Sequence, residues 1–378
     1  MNEFNIDRIV KKTVVVGMSG GVDSSVSAYL LKKDGYDVIG LFMQNWQSEP
    51  GEVCTSEIDF KDASLVCDKL DIPLHRANFS QEYWDNVFEE FLSEHKNGRT
   101  PNPDILCNRE IKFKSFLKYA FTIGADYIAT GHYASIKMSE IGPMLCRAKD
   151  LKKDQTYFLH EVRSSEFEKC IFPLSNLYKD EVRKIAKDID LSVSNKKDSV
   201  GICFIGERNL KDFLGRFIDL EKGKILDEFG NNIGTHNGAT LFTKGQRQGL
   251  NIGGIKNKQD LPWYVFDKDI NKNEVHVCQG VDNELLFDSG LKMKKINWIN
   301  EFNFEYPKTA LLQVRHQHKP VKCTIVKESN KYNIKFEEKI RAVASGQSAV
   351  FYDNNVCLGG GIITCLLYTS DAADEDLR

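Results

Sequence analysis

Apolar and polar positions in the first half of the chain follow two alternating rhythms. Val14–Val16 is an unbroken apolar run, the mark of a strand buried on both faces, and Ser24–Lys33 sets Val26, Leu30 and Leu31 on one side of a helix that ends before Gly35. Val38–Met43 reads as the next strand. A helix over Phe60–Leu70, a strand around Pro73–Phe79, helices over Gln81–His95 and Asn108–Ile123, and a strand at Tyr127–Thr130 continue the series. This rhythm runs to about residue 190 and predicts an α/β unit: a Rossmann-like parallel sheet with helices on both faces.

After a helix over Asn209–Ile218 the texture changes to short β-prone runs separated by turn signals such as FGNNIG, GGIKN and DKDINKN. A second shift near residue 290 opens longer alternating strands, Ala310–Arg315, Val321–Val326 and Ala349–Tyr352, suited to a small barrel. The pattern thus divides the chain into an α/β unit at 1–208, a small central domain at 209–290 and a C-terminal β-barrel at 291–365. From Thr364 onward TCLLYTSDAADEDLR does not continue the alternation, so residues 366–378 are expected to be a non-native tail, with Ser370–Arg378 disordered.

Composition narrows the classes. No apolar stretch reaches the length of a membrane span and MNEFNIDRIVKK is not a signal peptide, so a cytoplasmic protein with no membrane partner is expected. With 51 Lys and Arg against 54 Asp and Glu, any nucleic acid must be held by a local basic patch. The ten cysteines include no CxxC pair, which argues against zinc, an iron–sulfur cluster or a secreted disulfide framework.

The first strand-to-helix junction, GMSGGVDSS, carries the most specific chemistry. A glycine-rich turn there points successive backbone N–H groups at one spot, where the helix dipole adds about half a positive charge, and so cradles phosphate. Val22-Asp23-Ser24 follows Gly21 where a GxxxxGK[ST] loop needs lysine, and GxGxxG fails as well. The loop resembles the SGGxDS loop of ATP pyrophosphatases, which split ATP between its α and β phosphates and adenylate a carbonyl oxygen. Met43 and Gly131-His132 end later strands, where open parallel sheets bind ligands, although each also suits packing.

In TPNPDILCNREIKF two prolines stiffen Pro101-Asn102-Pro103-Asp104, and Cys107 falls just before a helix starting near Asn108. A thiol at a helix start has a lowered pKa and is nucleophilic; the same pattern also suits an N-capping residue with an incidental cysteine. Cys203, in KKDSVGICFIGER, lies in an apolar run flanked by Lys196, Lys197 and Asp198, where a buried hydrophobic cysteine is the commoner outcome.

Together GMSGGVDSS, LFMQNW, TPNPDILCN, ATGHYA, KDQTYFL, GICFIGER, TKGQRQGL and ASGQSAVFY resemble the bacterial tRNA-specific 2-thiouridylase family, in order from residue 13 to about 363. The resemblance implies an adenine-nucleotide hydrolase-like α/β domain, a small central domain and a C-terminal β-barrel. It implies that Gly17, Met18, Ser19, Gly20, Gly21, Val22, Asp23 and Ser24, with Met43 and Gly131, bind ATP, and that Mg²⁺ accompanies the nucleotide without a fixed protein site. Asn102, Pro103 and Asp104 would line the flipped uracil, Asp104 serving as acid/base, Cys107 as nucleophile and Cys203 as persulfide carrier, ending in a Cys107–Cys203 disulfide. Contacts to tRNA would come from His132, Lys153, Asp154, Gln155, Arg315, His316 and Gln347.

The implied partners are the wobble-uridine tRNAs for Lys, Glu and Gln, a sulfur-carrier relay protein or cysteine desulfurase, and a cellular reductant. Rival readings are another RNA thiolase, an amide-forming ligase, or a regulator that senses ATP without turning it over. Pyrophosphate release that depends on tRNA separates the sensor from the enzymes.

Overall fold

The computed structural model describes residues 11–46, 55–198, 210–253, 261–329 and 331–367. Cys203 and the expected disordered stretch Ser370–Arg378 lie outside the described residues. Strand β1 (Thr13–Met18) is the buried run the sequence announces: Val14, Val15 and Val16 are wholly covered. Helix α1 (Val22–Lys33) follows, with Asp23 in its first turn and Lys32 and Lys33 in its last, each complementing the helix dipole. It ends at Gly35, whose φ of +90° suits glycine best.

The series continues through β2 (Asp37–Gln44), α2 (Thr55–Leu70), β3 (Leu74–Asn78), α3 (Ser80–Tyr83), α4 (Glu89–Lys96), α5 (Pro103–Leu106), α6 (Phe116–Thr122) and β4 (Tyr127–Ala129). Two π-helical stretches, Trp84–Phe88 and Cys107–Ser115, join α3 to α4 and α5 to α6. A hairpin, β5 (Ala134–Ser139) and β6 (Gly142–Arg147), precedes α7 (Ser164–Phe167), β7 (Cys170–Ile171) and α8 (Lys179–Asp188).

The first sheet runs β3-β2-β1-β4-β7, and its pairings are parallel. Alternate residues of β1 face opposite layers. Val14, Val16 and Met18 pack with Val26, Val66 and Val182 from α1, α2 and α8. Val15, with Leu41 and Met43, joins Tyr83, Phe88, Ile111 and Phe116 on the other side. The sequence expectation of helices on both faces is borne out.

Beyond α9 (Leu210–Leu214), strands β8 (Lys222–Leu226), β9 (Asn232–Asn237), β10 (Trp263–Asp269) and β11 (Glu274–Gln279) form a four-stranded sheet ordered β10-β11-β8-β9. The barrel comprises β12 (Phe287–Met293), β14 (Lys308–Gln313), β15 (Val321–Glu328), β16 (Lys331–Arg341), β17 (Ser348–Asp353) and β18 (Val356–Leu367), with the short β13 (Asn297–Trp298) paired to β18. These six strands run antiparallel, and β12 against β18 closes the ring.

Two features depart from the sequence expectation. The strand β18 continues through Thr364–Leu367, because Leu366 and Leu367 pair with Leu291 and Gly290 and the Thr364 hydroxyl donates to the Lys292 carbonyl at 2.9 Å. The loss of alternation past Thr364 therefore does not end the strand. The hairpin β5–β6, moreover, extends the barrel's sheet through Val356 opposite Cys146, so the N-terminal unit contributes strands to the C-terminal sheet.

Candidate functional site

The turn between β1 and α1 has the geometry of an anion cradle. Gly20 holds φ at +70°, and a Cβ there would lie 2.3 Å from the Asp59 carbonyl oxygen, so no other residue fits without displacing α2. Gly21 is the N-cap of α1 and no side chain caps that end. Its first N–H groups are therefore available to a ligand. The Ser24 and Ser25 hydroxyls donate to the Gly21 carbonyl at 3.1 and 2.8 Å, and Ser19 N–H donates to Ser24 Oγ at 3.2 Å, which fixes the turn.

Gly131, after β4, approaches so closely that a Cβ would sit 2.8 Å from Ser24 N. A Cβ at Gly17 would meet Met43 Cε at 3.2 Å and the Phe116 ring at 3.6 Å, so the loop, the end of β2 and the start of α6 converge.

Around the loop lies a network of ion pairs that sequence reasoning did not anticipate. Lys179 Nζ is 2.7 Å from both Asp23 carboxylate oxygens and 2.7 Å from Asp198, while the Tyr133 hydroxyl donates to Asp23 at 3.1 Å. Lys153 and Arg183 complete the shell of Asp198 at 2.7 and 2.8 Å. Burial works to raise the Asp198 carboxyl, but hydrogen bonds from Lys153 and Lys179 outweigh it and hold its pKa down to about 2. Lys196 Nζ donates to the Gly20 carbonyl at 3.0 Å and to Asp59 and Asp62 at 2.7 and 2.6 Å. The charged run around residues 196–198 is the only sequence signal of this network.

The loop bearing Asn102 is gripped by all three units. Thr100 N–H donates to the Ser345 carbonyl at 3.0 Å, Gln347 Nε2 to the Thr100 carbonyl at 2.7 Å, and the Thr100 hydroxyl lies 3.0 Å from that of Thr243. The helix then begins at Pro103, earlier than the expected Asn108. Asn102 caps it by accepting from Asp104 N–H at 3.2 Å, and proline at the first position needs no N–H partner. Cys107 is thus a full turn inside the helix, where the effect of the N-terminal dipole has faded. It is wholly buried among apolar side chains and opens the π-helical stretch. The expectation of a thiol activated at a helix start is corrected accordingly.

Several expected RNA contacts face the protein. His132 is 7% exposed, its Nδ1 lies 2.7 Å from the Thr130 hydroxyl, and burial pushes its pKa well below the usual histidine value. Asp154 is 5% exposed and accepts from Ala148 N–H at 3.0 Å and the Thr156 hydroxyl at 2.7 Å. Both are buried and held by partners within the protein. Gln155 accepts from Tyr133 N–H, Arg315 donates to the Lys244 carbonyl at 2.9 Å, and the His316 ring lies 3.1 Å from the Asp154 carbonyl oxygen. Lys153, Arg315, His316 and Gln347 are partly buried and keep some exposure to solvent.

Among the described residues no group of three or more His, Cys, Asp or Glu side chains is arranged to hold a metal ion. Asp23, the carboxylate of the loop, is already engaged by Lys179 and Tyr133. Among the described residues the donor set does not make a Mg²⁺ site.

Family models cover the three units: a tRNA methyl transferase HUP domain at residues 12–207, a tRNA methyl transferase PRC-barrel domain at 211–279 and an aminomethyltransferase β-barrel domain at 288–363. A tRNA-specific 2-thiouridylase MnmA of Pseudomonas fluorescens is 52% identical over 354 residues, 93% of this chain and 94% of that protein. Its counterpart in Klebsiella pneumoniae is 51% identical over 356 residues, 93% of this chain and 97% of that protein. A 4-thiouridine synthetase in complex with RNA and ATP aligns with 54% of this chain and 50% of its own at a TM-score of 0.33 and 17% identity, a likeness that carries no argument.

Proposed function

The chain belongs to the tRNA-specific 2-thiouridylase family, and from that premise we propose that it thiolates the wobble uridine of tRNA by ATP activation and persulfide transfer. The observation that carries this reading is the uncapped N-terminus of α1 beside the glycine turn, with Lys179 and Lys196 at its rim.

A uracil 2-carbonyl is a poor electrophile. In the proposed reaction its oxygen attacks the α-phosphorus of ATP, pyrophosphate leaves, and the base carries AMP on O2. The N–H groups of α1, with Gly17 through Ser24, hold the phosphates, while Met43 and Gly131 flank the nucleoside. Asn102, Pro103 and Asp104 line the extruded base, and Asp104 exchanges the proton at N3. Unstacking that base costs a few kcal/mol.

The terminal sulfur of a Cys203 persulfide then attacks C2 and AMP departs. Cys107 thiolate attacks the Cys203 sulfur, breaking the S–S bond so that the transferred sulfur remains on the base and a Cys107–Cys203 disulfide forms. A dithiol reductant returns two electrons, and a relay protein or cysteine desulfurase recharges Cys203. Because Cys107 is wholly buried, the reaction includes local opening of its helix, and the π-helical stretch that begins at this residue is the natural place for it. Lys153, Arg315, His316 and Gln347 remain the candidate RNA contacts.

The test uses purified full-length protein charged with persulfide, ATP and unmodified tRNA. Pyrophosphate and AMP released only with tRNA, and 2-thiouridine found by nucleoside mass spectrometry, are expected. Nucleotide binding without tRNA-dependent pyrophosphate would overturn the enzyme reading in favour of a sensor.

A further inference from the structure

We propose that a basic pocket at the junction of the N-terminal unit and the barrel binds a backbone phosphate of the tRNA, an inference that rests on the reading of tRNA as substrate. The pocket measures about 270 Å³. Lys137 of β5, Arg147 at the end of β6 and Lys149 supply its cations, Ser135, Asn176 and Asn355 its neutral polar groups, and no carboxylate lines it.

The walls are fixed before any ligand arrives. Arg147 N–H donates to the Asn355 carbonyl at 2.8 Å and Lys149 N–H to the Ser175 carbonyl at 2.9 Å. Asp150 holds the following loop by accepting from Lys152 N–H at 3.1 Å and Lys179 N–H at 3.0 Å. The Arg147 guanidinium lies 3.8 Å from the Tyr352 ring centroid, donates to Gln313 at 3.0 Å and pairs with the Asp154 carboxylate at 3.6 Å, so its position is set and its charge is shared, leaving Lys137 and Lys149 as the main cations of the pocket.

Lys137 is exposed and has no carboxylate partner among the described residues. Lys149 is only loosely committed, 3.7 Å from Glu181 and 43% exposed in its side chain. Two available ammonium groups, one fixed guanidinium and neutral donors suit a singly charged phosphodiester. The chain that lines the pocket from Arg147 to Leu151 runs on to Lys153, which is bound to Asp198 beside the phosphate loop.

The chain as a whole carries a formal charge of −3, which makes a local cation cluster of this kind a requirement for holding RNA. An acidic patch on a protein partner is the competing occupant. Its groups come singly and without register, whereas a phosphodiester chain already seated on Lys153 passes a phosphate every nucleotide.

The test compares wild type, the double variant Lys137→Gln/Lys149→Gln and a charge-matched control, Lys33→Gln/Lys187→Gln, whose lysines are exposed elsewhere. Binding of full-length tRNA is titrated at several salt concentrations. The pocket variant is expected to bind about tenfold more weakly at low salt, with the slope of log K against log salt reduced by about one per lost contact. ATP affinity and melting temperature should match wild type. Equal loss in the control variant, or unchanged affinity and slope in the pocket variant, overturns the proposal. Wild-type protein that fails to form 2-thiouridine in the same preparation overturns the functional reading instead, which separates the two failures.

Discussion

The phosphate loop and the helix carrying Cys107 meet across Gly17, Met43 and Phe116, yet opposite means hold them. The loop is tied by ion pairs of two kinds: partly exposed ones from Lys196 to Asp59 and Asp62, and those of the buried Lys179 to Asp23 and Asp198. Partly exposed ion pairs contribute roughly 0–1 kcal/mol each, so an arriving phosphate can take over an ammonium group at small cost. The Cys107 helix is instead sealed by Ile105, Leu106, Ile111, Phe113 and Phe116, all buried, at about 1.5–3 kcal/mol for each large side chain. The difference separates the two halves of the proposed chemistry. Activation of the base uses groups already in place, whereas sulfur release waits on an opening that costs packing.

The sharpest break is chemical. Cys107→Ala should form no 2-thiouridine while still releasing pyrophosphate in the presence of tRNA, because activation uses no thiol; thiolated nucleoside in the digest would remove Cys107 from the mechanism. Alanine is the right probe in a wholly buried apolar site, where a serine hydroxyl would be desolvated. On the loop side, Asp23→Ala should lower tRNA-dependent pyrophosphate release by about 10³-fold through lost organisation of the anion site. Its melting temperature should fall by no more than about 4 °C, since Lys179 keeps Asp198; a larger fall would make Asp23 structural.

A sharper measure of the contrast is thiol labelling followed by peptide mass spectrometry. Among the described cysteines Cys365 is exposed and should react first, and Cys107, which needs local opening, should be slower by about 10²-fold or more. Comparable rates would mean that the helix is not sealed. The smallest effect is on stability against pH. The folded pKa of Asp198 is about 2, below the ordinary aspartate value of 3.8, so its contribution is complete above about pH 4 and is lost as pH falls toward 2. Asp198→Asn should flatten the acid side of the stability curve in that window, measured by denaturant melts; an unchanged slope would place the acid-sensitive group elsewhere.

Much of the first sheet is legible because its inner strands β1 and β2 are buried on both faces and appear as apolar runs. The glycine turn was legible because its residue types admit few other uses. Helix α5 was misplaced by its prolines. Pro103 was read as loop stiffening, although asparagine followed by proline is also a cap and first helical turn. The inward turn of His132 and Asp154 is not legible: His132 packs against Phe113 and Phe172, remote in sequence, and Asp154 is held by Ala148, Thr156 and Arg147 through a turn the local pattern does not announce. The same holds for Lys179. Nothing local distinguishes a helical lysine bound for solvent from one that reaches a loop more than a hundred residues upstream.

The union of β6 with β18 has a consequence for biosynthesis. The hairpin leaves the ribosome long before Val356 exists to pair with Cys146, so for much of translation it presents an unpaired strand edge. Folding of the catalytic half therefore cannot finish on its own schedule. A nascent chain stalled anywhere between the hairpin and the last strand carries an adhesive margin that only its own C-terminal residues are shaped to cover.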